Sequence, residues 1–158
     1  MKKTSPKLPL APEERAALRK NKLKLSDIAQ CDTEELASAM ESTFDRAKYL
    51  RALSIFQAVP SIGPKLAKLV VELGYYEFED FNEETGAELT NRAELLYGHW
   101  MDPCVEDTLR CVVHHATNRG SDKQWFDFTA ERKAFRAKHG YPESRPKLAW
   151  HEDERYGE

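Results

Sequence analysis

Apolar residues along this chain return at intervals of three and four, with almost no strict alternation, so the pattern predicts helices and no sheet. The clearest case is Leu66, Leu69, Val70 and Leu73, an i, i+3, i+4, i+7 set that starts behind Pro64 and stops at Gly74. Proline at the first helical position loses nothing, because its missing N–H would have no partner there, and a glycine past the last turn accepts the left-handed dihedrals that close a helix. Similar signals predict six further helices. Pro12 followed by Glu13 and Glu14 opens one that runs to about Lys22. Asp32 with Glu35 forms a capping box ahead of Leu36, Ala37 and Met40, and a third helix runs from near Asp45 to about Ala58, carrying Leu50, Leu53 and Phe56 before Pro60 ends it.

Thr85 with Glu88 opens a fifth helix, with Leu89, Ala93 and Leu96, closing near Gly98. Asp102 with Pro103 starts a sixth, whose Val105, Leu109, Val112, Val113 and Ala116 make a broad apolar stripe. A last helix is expected from about Lys123 to His139, with Trp125, Phe128 and Phe135 on one side, and the chain past Gly140 reads as loose, its order left open. The segment 25–36, LSDIAQCDTEEL, also overlays 78–89, FEDFNEETGAEL, at an offset of 53 residues, matching Leu25 to Phe78, Asp27 to Asp80, Ile28 to Phe81 and Leu36 to Leu89. Two similar helical units are implied. The expected fold is all-α: a compact helical domain over 8–118, with a helix and tail over 119–158 packing on it.

Composition narrows the function classes. At 158 residues and 18.2 kDa the chain has room for a core but not for a two-domain cofactor enzyme. No apolar run approaches the roughly 20 residues of a membrane span, and the basic start lacks an apolar stretch behind it. Three cysteines at unhelpful spacings form no disulfide framework and suit a reducing compartment, so a cytoplasmic location is expected. The net charge of −3 is unevenly spread: 1–24 hold eight basic and two acidic residues, whereas 75–107 hold ten acids and one arginine. That balance argues against indiscriminate nucleic-acid binding but leaves room for a local site. The basic N-terminal stretch reads as a solvated or disordered arm.

One short motif carries more chemistry than the rest: Val59 to Lys65, VPSIGPK, between the third and fourth helices. Amides at the start of the helix opening at Pro64 lack intrahelical acceptors, and the aligned peptide dipoles leave partial positive charge there. This makes an anion seat. Gly63 lets backbone approach a phosphate and is expected to take dihedrals that other residues resist. Ile62 is placed to plug the turn into the core, while Lys65 and Lys68 bring cations three residues apart on one face.

At these residues the chain resembles the helix-hairpin-helix motif, and over Gln57 to Gly74 it matches both helices of that motif. The stretch from about Phe56 to Ala116, with VPSIGPK, ELGYYEFEDF and DPCVEDTLRCVVHHA, is similar to the small bacterial pathogenicity-locus family, some of whose members carry mitomycin-resistance names. The resemblance implies tandem helix-hairpin-helix-like units of a SAM-like kind, gripping DNA backbone without reading sequence, in settings such as DNA repair, stress or drug resistance. Its implied contacts are Ser61, Ile62, Gly63, Lys65 and Lys68. One departure stands out: Ser61 occupies the family's first hairpin glycine, and either weakens phosphate binding or offers its hydroxyl to the phosphate. The alternative is a protein-protein adaptor whose hairpin is purely structural.

Other constellations fall away on geometry. Cys104 and Cys111 lie seven residues apart, about 10 Å along a helix, too far for one zinc ion; Cys111 with His114 or His115 makes at best a half-site needing a ligand such as His99. Asp80 sits near where a base-excision glycosylase would carry its catalytic acid, but no flanking domain shapes a base pocket. The acids Glu77, Glu79, Asp80, Glu83 and Glu84 read as a solvated turn. Trp125, Phe128, Phe135 and Trp100 read as packing residues, Arg132, Lys133, Arg136 and Lys138 as solvated surface, and Arg92 as too isolated for the site. No Walker loop, dinucleotide fingerprint or nucleophile elbow occurs. A non-enzymatic protein is expected, with no metal, cofactor or small-molecule substrate.

Overall fold

Capping chemistry fixes where the helices of this chain begin. In the computed structural model, which describes residues 5–155, there are seven α-helices: α1 Pro12–Lys20, α2 Thr33–Met40, α3 Phe44–Gln57, α4 Pro64–Glu72, α5 Gly86–Tyr97, α6 Pro103–Thr117 and α7 Thr129–His139. Asp32 accepts from Glu35 N–H, Thr43 from Arg46 N–H, Thr85 from Glu88 N–H and Asp102 from Cys104 N–H, so four of the seven start on a side-chain cap. Short 3-10 turns stand at Leu25–Gln30, Phe78–Phe81, Trp125–Phe128 and Trp150–Glu152. The repeat read at 25–36 and 78–89 has a local counterpart, because a 3-10 turn leads into a capped α-helix in both places. Among the described residues the fold is all-α; the nearest thing to a strand is one isolated bridge, Trp100 to Ala149. No described helix is long and apolar enough to cross a membrane.

The chain divides into two compact units, one ending at Asp80 and the other starting at Phe81. In the first, α3 packs against both α2 and α4 and is enclosed along most of its length, with Ala47, Leu50 and every residue from Ala52 to Gln57 buried. Ile28, Leu36, Met40, Val59, Ile62 and Val70 complete an almost wholly apolar core, and Phe56 meets Phe78 edge to face at 5.8 Å. Full burial of each large side chain contributes about 1.5–3 kcal/mol. Three helices of this unit close on left-handed residues, Lys22, Glu41 and Gly74. In each, the next amide reaches back five residues, as Tyr75 N–H does to Val70 C=O.

The N-terminal stretch is docked, contrary to the expected solvated arm. Pro6 and Leu8 are buried, Lys7 exchanges backbone hydrogen bonds with the Gln57 amide at 2.9 Å, and Arg46 ties Pro9 C=O to Glu14. That arginine holds the Glu14 carboxyl below the ordinary range. Lys2 and Lys3, part of the same expectation, lie outside the described residues.

The second unit holds α5, α6 and α7. Gly86 sits so close to α6 that a Cβ there would come within 2.8 Å of Arg110 Cα, which is why α5 opens on glycine. Two expectations change here. The helix expected from Lys123 is split into a 3-10 turn and α7, because Asp127 accepts from Gln124 N–H at 2.8 Å and Asp107 accepts the Thr129 hydroxyl at 2.8 Å, holding the bend. Arg132 and Arg136 are not solvated: Arg132 meets buried Asp107 at 2.6 Å, and Arg136 meets buried Glu106 at 2.8 Å. Lys133 and Lys138 do stay exposed.

The tail past Gly140 is ordered as far as it is described; 156–158 lie outside the described residues. Arg145 binds buried Glu94 at 2.9 Å, Trp100 and residues 148–150 exchange two backbone hydrogen bonds at 2.8 Å, and Arg155 reaches Tyr97 C=O. Its own bond to Asp153 holds that carboxyl below the usual range.

Candidate nucleic-acid interface

The turn between α3 and α4 is anchored from beneath and open above. Val59 is fully buried and Ile62 is 1% exposed, and Ile62 N–H donates to Val59 C=O at 3.1 Å, so two apolar side chains nail the corner to the first unit's core. Ser61, Gly63, Pro64, Lys65 and Lys68 all face solvent. The five residues singled out from the sequence are thus brought together at one corner, four as surface and Ile62 as its plug.

Ser61 has φ +66°, the left-handed conformation that glycine favours. Serine thus holds a dihedral that glycine would hold without strain, at a cost of about 1 kcal/mol for carrying a Cβ there. The Ser61 hydroxyl donates to Pro60 C=O. Gly63 corrects an expectation in the other direction: its φ of −101° and ψ of −175° are ordinary extended backbone, and a Cβ would meet nothing within 4 Å. The dihedral demand sits at Ser61, while Gly63 contributes open space above its own peptide.

The start of α4 differs from every other α-helix start among the described residues. The remaining six carry an acidic residue in the first turn; α4 carries none, and has Lys65 at its second position. No side chain caps it, and the first helical bond closes only from Ala67 N–H to Gly63 C=O, leaving the amides of Lys65 and Leu66 ahead of the ladder. Lys65 makes no ion pair among the described residues, and Lys68 meets Glu72 only at 3.8 Å, a long, exposed pair of small worth. The corner joins unsatisfied amides, the positive end of the helix dipole and two ammonium groups, a combination that attracts an oxygen anion.

The other chemistry-bearing residues are occupied structurally. Asp80 accepts from the Tyr76 and Glu77 amides at 2.8 and 3.0 Å, and Glu77 pairs with Arg51. Buried His115 and Cys111 both bond Lys123 C=O, and His114 bonds the Ser121 hydroxyl at 2.9 Å. Burial, helped by the charges of His115 and Lys123, holds the His114 ring below its ordinary pKa. Burial likewise pushes the Cys31 and Cys104 thiols up, away from reactivity. Among the described residues, no three His, Cys, Asp or Glu groups are placed to hold a metal ion. In the second unit Phe128 is buried and Phe135 lies beneath Arg110 and Arg136, while Trp125 is half-buried.

Sequence reading missed a cleft in the first unit, lined by Phe44, Lys48, Arg51, Tyr76 and neighbours. The only linear trace is Phe44, Lys48 and Arg51 at helical spacing on α3.

An all-helical chain with an open, cation-flanked turn is a class rather than an identity, and comparison narrows it. The chain belongs to the pathogenicity-locus family: that family's model matches residues 50–134, spanning the turn, α4 to α6 and the start of α7. It is also similar to the mitomycin resistance protein McrB of Streptomyces lavendulae, with 27% identity over 81 residues, covering 51% of this chain and 76% of the relative. No solved structure matches the chain.

Proposed function

We propose that this protein is a non-enzymatic, cytoplasmic binder of DNA backbone without strong sequence preference, gripping phosphates at a helix-hairpin-helix corner. Gly63 and Lys65 present backbone amides, Lys65 and Lys68 supply charge, Ser61 shapes the turn and Ile62 anchors it. The observation that carries this reading is the bare start of α4, which has no cap and no first-turn acid, and which stands open to solvent. The three cysteines, all free, suit the reducing compartment. The name of the Streptomyces lavendulae relative supports mitomycin stress as a setting.

Salt titration of binding to random-sequence duplex tests it. Contact with a few phosphates predicts log affinity falling with log salt at a slope of about −0.9 per neutralised phosphate. Lys65→Glu should both weaken binding and flatten that slope. A protein that leaves duplex unbound even at low salt overturns the proposal. The adaptor reading would then take its place, favoured by one observation, the adjacent exposed Leu95 and Leu96 on α5.

A further inference from the structure

The cleft of about 560 Å³ in the first unit lies away from the phosphate corner along the α3–α4 pair. The corner joins the end of α3 to the start of α4; the cleft is built from the beginning of α3, from Gly74 just past α4 and from the following loop. Its volume is within the usual range for small-ligand sites. Thr33, Phe44, Lys48, Arg51, Tyr76, Glu77 and Asp80 supply its chemistry.

Most of the charges here are already engaged. Arg51 donates to Cys31 C=O at 2.7 Å and to Glu77 at 2.9 Å, which fixes the loop against α3. Asp80 spends its carboxylate on two loop amides. Lys48 is different: its ammonium lies 4.4 Å from the centre of the Tyr76 ring and pairs with no carboxylate among the described residues. Phe44, one helical turn before it, is 50% exposed, so its ring face is open to stack against a flat group that enters the cleft. An exposed ring on α3, a second ring on the facing loop and a cation that no carboxylate neutralises suit a planar aromatic group that carries negative charge.

We infer that this cleft holds a single nucleotide, its base stacked on Phe44 beside Tyr76 and its phosphate at Lys48. An unpaired base in a strand and a free nucleotide share that chemistry. The site stands beside the duplex reading and does not depend on it, since its residues are not those of the corner.

The test is fluorescence anisotropy of a labelled oligo-dA tetramer with the full chain at low salt, with Phe44→Ala and Lys48→Ala compared with wild type. Both side chains are exposed, so these variants should fold, and unchanged melting verifies it. Stacking of one base is worth about 1–3 kcal/mol, so Phe44→Ala should weaken the tetramer about tenfold. Lys48→Ala should weaken it less and reduce its salt dependence, and neither change should alter duplex binding. Lys65→Glu should do the reverse, which separates failure of the cleft from failure of the corner. Competition by unlabelled dAMP, with abasic deoxyribose phosphate inactive, points to a free nucleotide as sufficient; tetramer binding that dAMP does not displace, but that Phe44→Ala weakens, points to a strand. Tetramer binding that is absent, or equal in wild type and Phe44→Ala, overturns the inference.

Discussion

The two units solve the problem of a small core by different means. Beneath the surface the first is nearly all hydrocarbon: Ser54 and Gln57 are its only fully enclosed polar residues among those described, and both bond backbone. The second buries Glu94, Glu106, Asp107 and Asp153 and binds each with an arginine. Burying a carboxylate is costly, and pairing recovers that cost only when the geometry is good. The contrast shows where cations remain available. In the second unit Arg110, Arg132, Arg136 and Arg145 are consumed in holding the protein together; in the first, Lys48, Lys65 and Lys68 are left pointing outward with little to bind.

The strongest way to break this comparison is Glu106→Ala, which removes the buried carboxylate that Arg110 and Arg136 share and leaves them only Glu131, Asn91 and backbone carbonyls. It should cost about 3–5 kcal/mol in urea unfolding. A loss under about 1 kcal/mol would mean that the buried network contributes little and that the second unit is held by its apolar stripe. Next in size is Ser61→Gly, expected to raise stability by about 1 kcal/mol by relieving the left-handed residue in the first unit, seen as a higher melting temperature. No gain there would place the strain elsewhere.

A smaller effect concerns His114, whose ring burial biases toward its neutral form. Because folding favours the unprotonated form, stability is full above the ordinary imidazole pKa of 6.5 and declines as pH falls below it. His114→Gln should shallow that decline in melts recorded across the interval, whereas an unchanged pH profile would assign it to other groups. Smallest of all, Gly63→Ala should leave melting within about 0.5 kcal/mol of wild type, since its backbone is extended and its surroundings empty, while weakening duplex binding by crowding the phosphate approach.

Local signals were legible in the sequence; distant partnerships were not. Asp32, Thr85 and Asp102 marked helix starts because a cap acts on amides two or three residues away, Pro64 because its missing N–H costs nothing at a first helical position, and Ile62 was readable as a plug because the turn leaves it one direction to point. Arg132 and Arg136 read as surface because their partners lie 25 and 30 residues back, and nothing in α7 alone announces a buried carboxylate on α6. The same holds for the cleft, whose wall draws on residues from 33 to 80. The bend at Thr129 was missed because it contains neither proline nor glycine; Asp127 and Asp107 hold it by side chain alone.

The attachment of Arg145 to Glu94 has a practical corollary. Glu94 is almost wholly enclosed, and its remaining hydrogen bond comes from Met101 N–H at 2.7 Å. Trimming this protein after Ser144, as one would trim an apparently idle tail, would leave that carboxylate with two of its three hydrogen bonds gone. A version shortened at that point would therefore be a poor starting point for crystals.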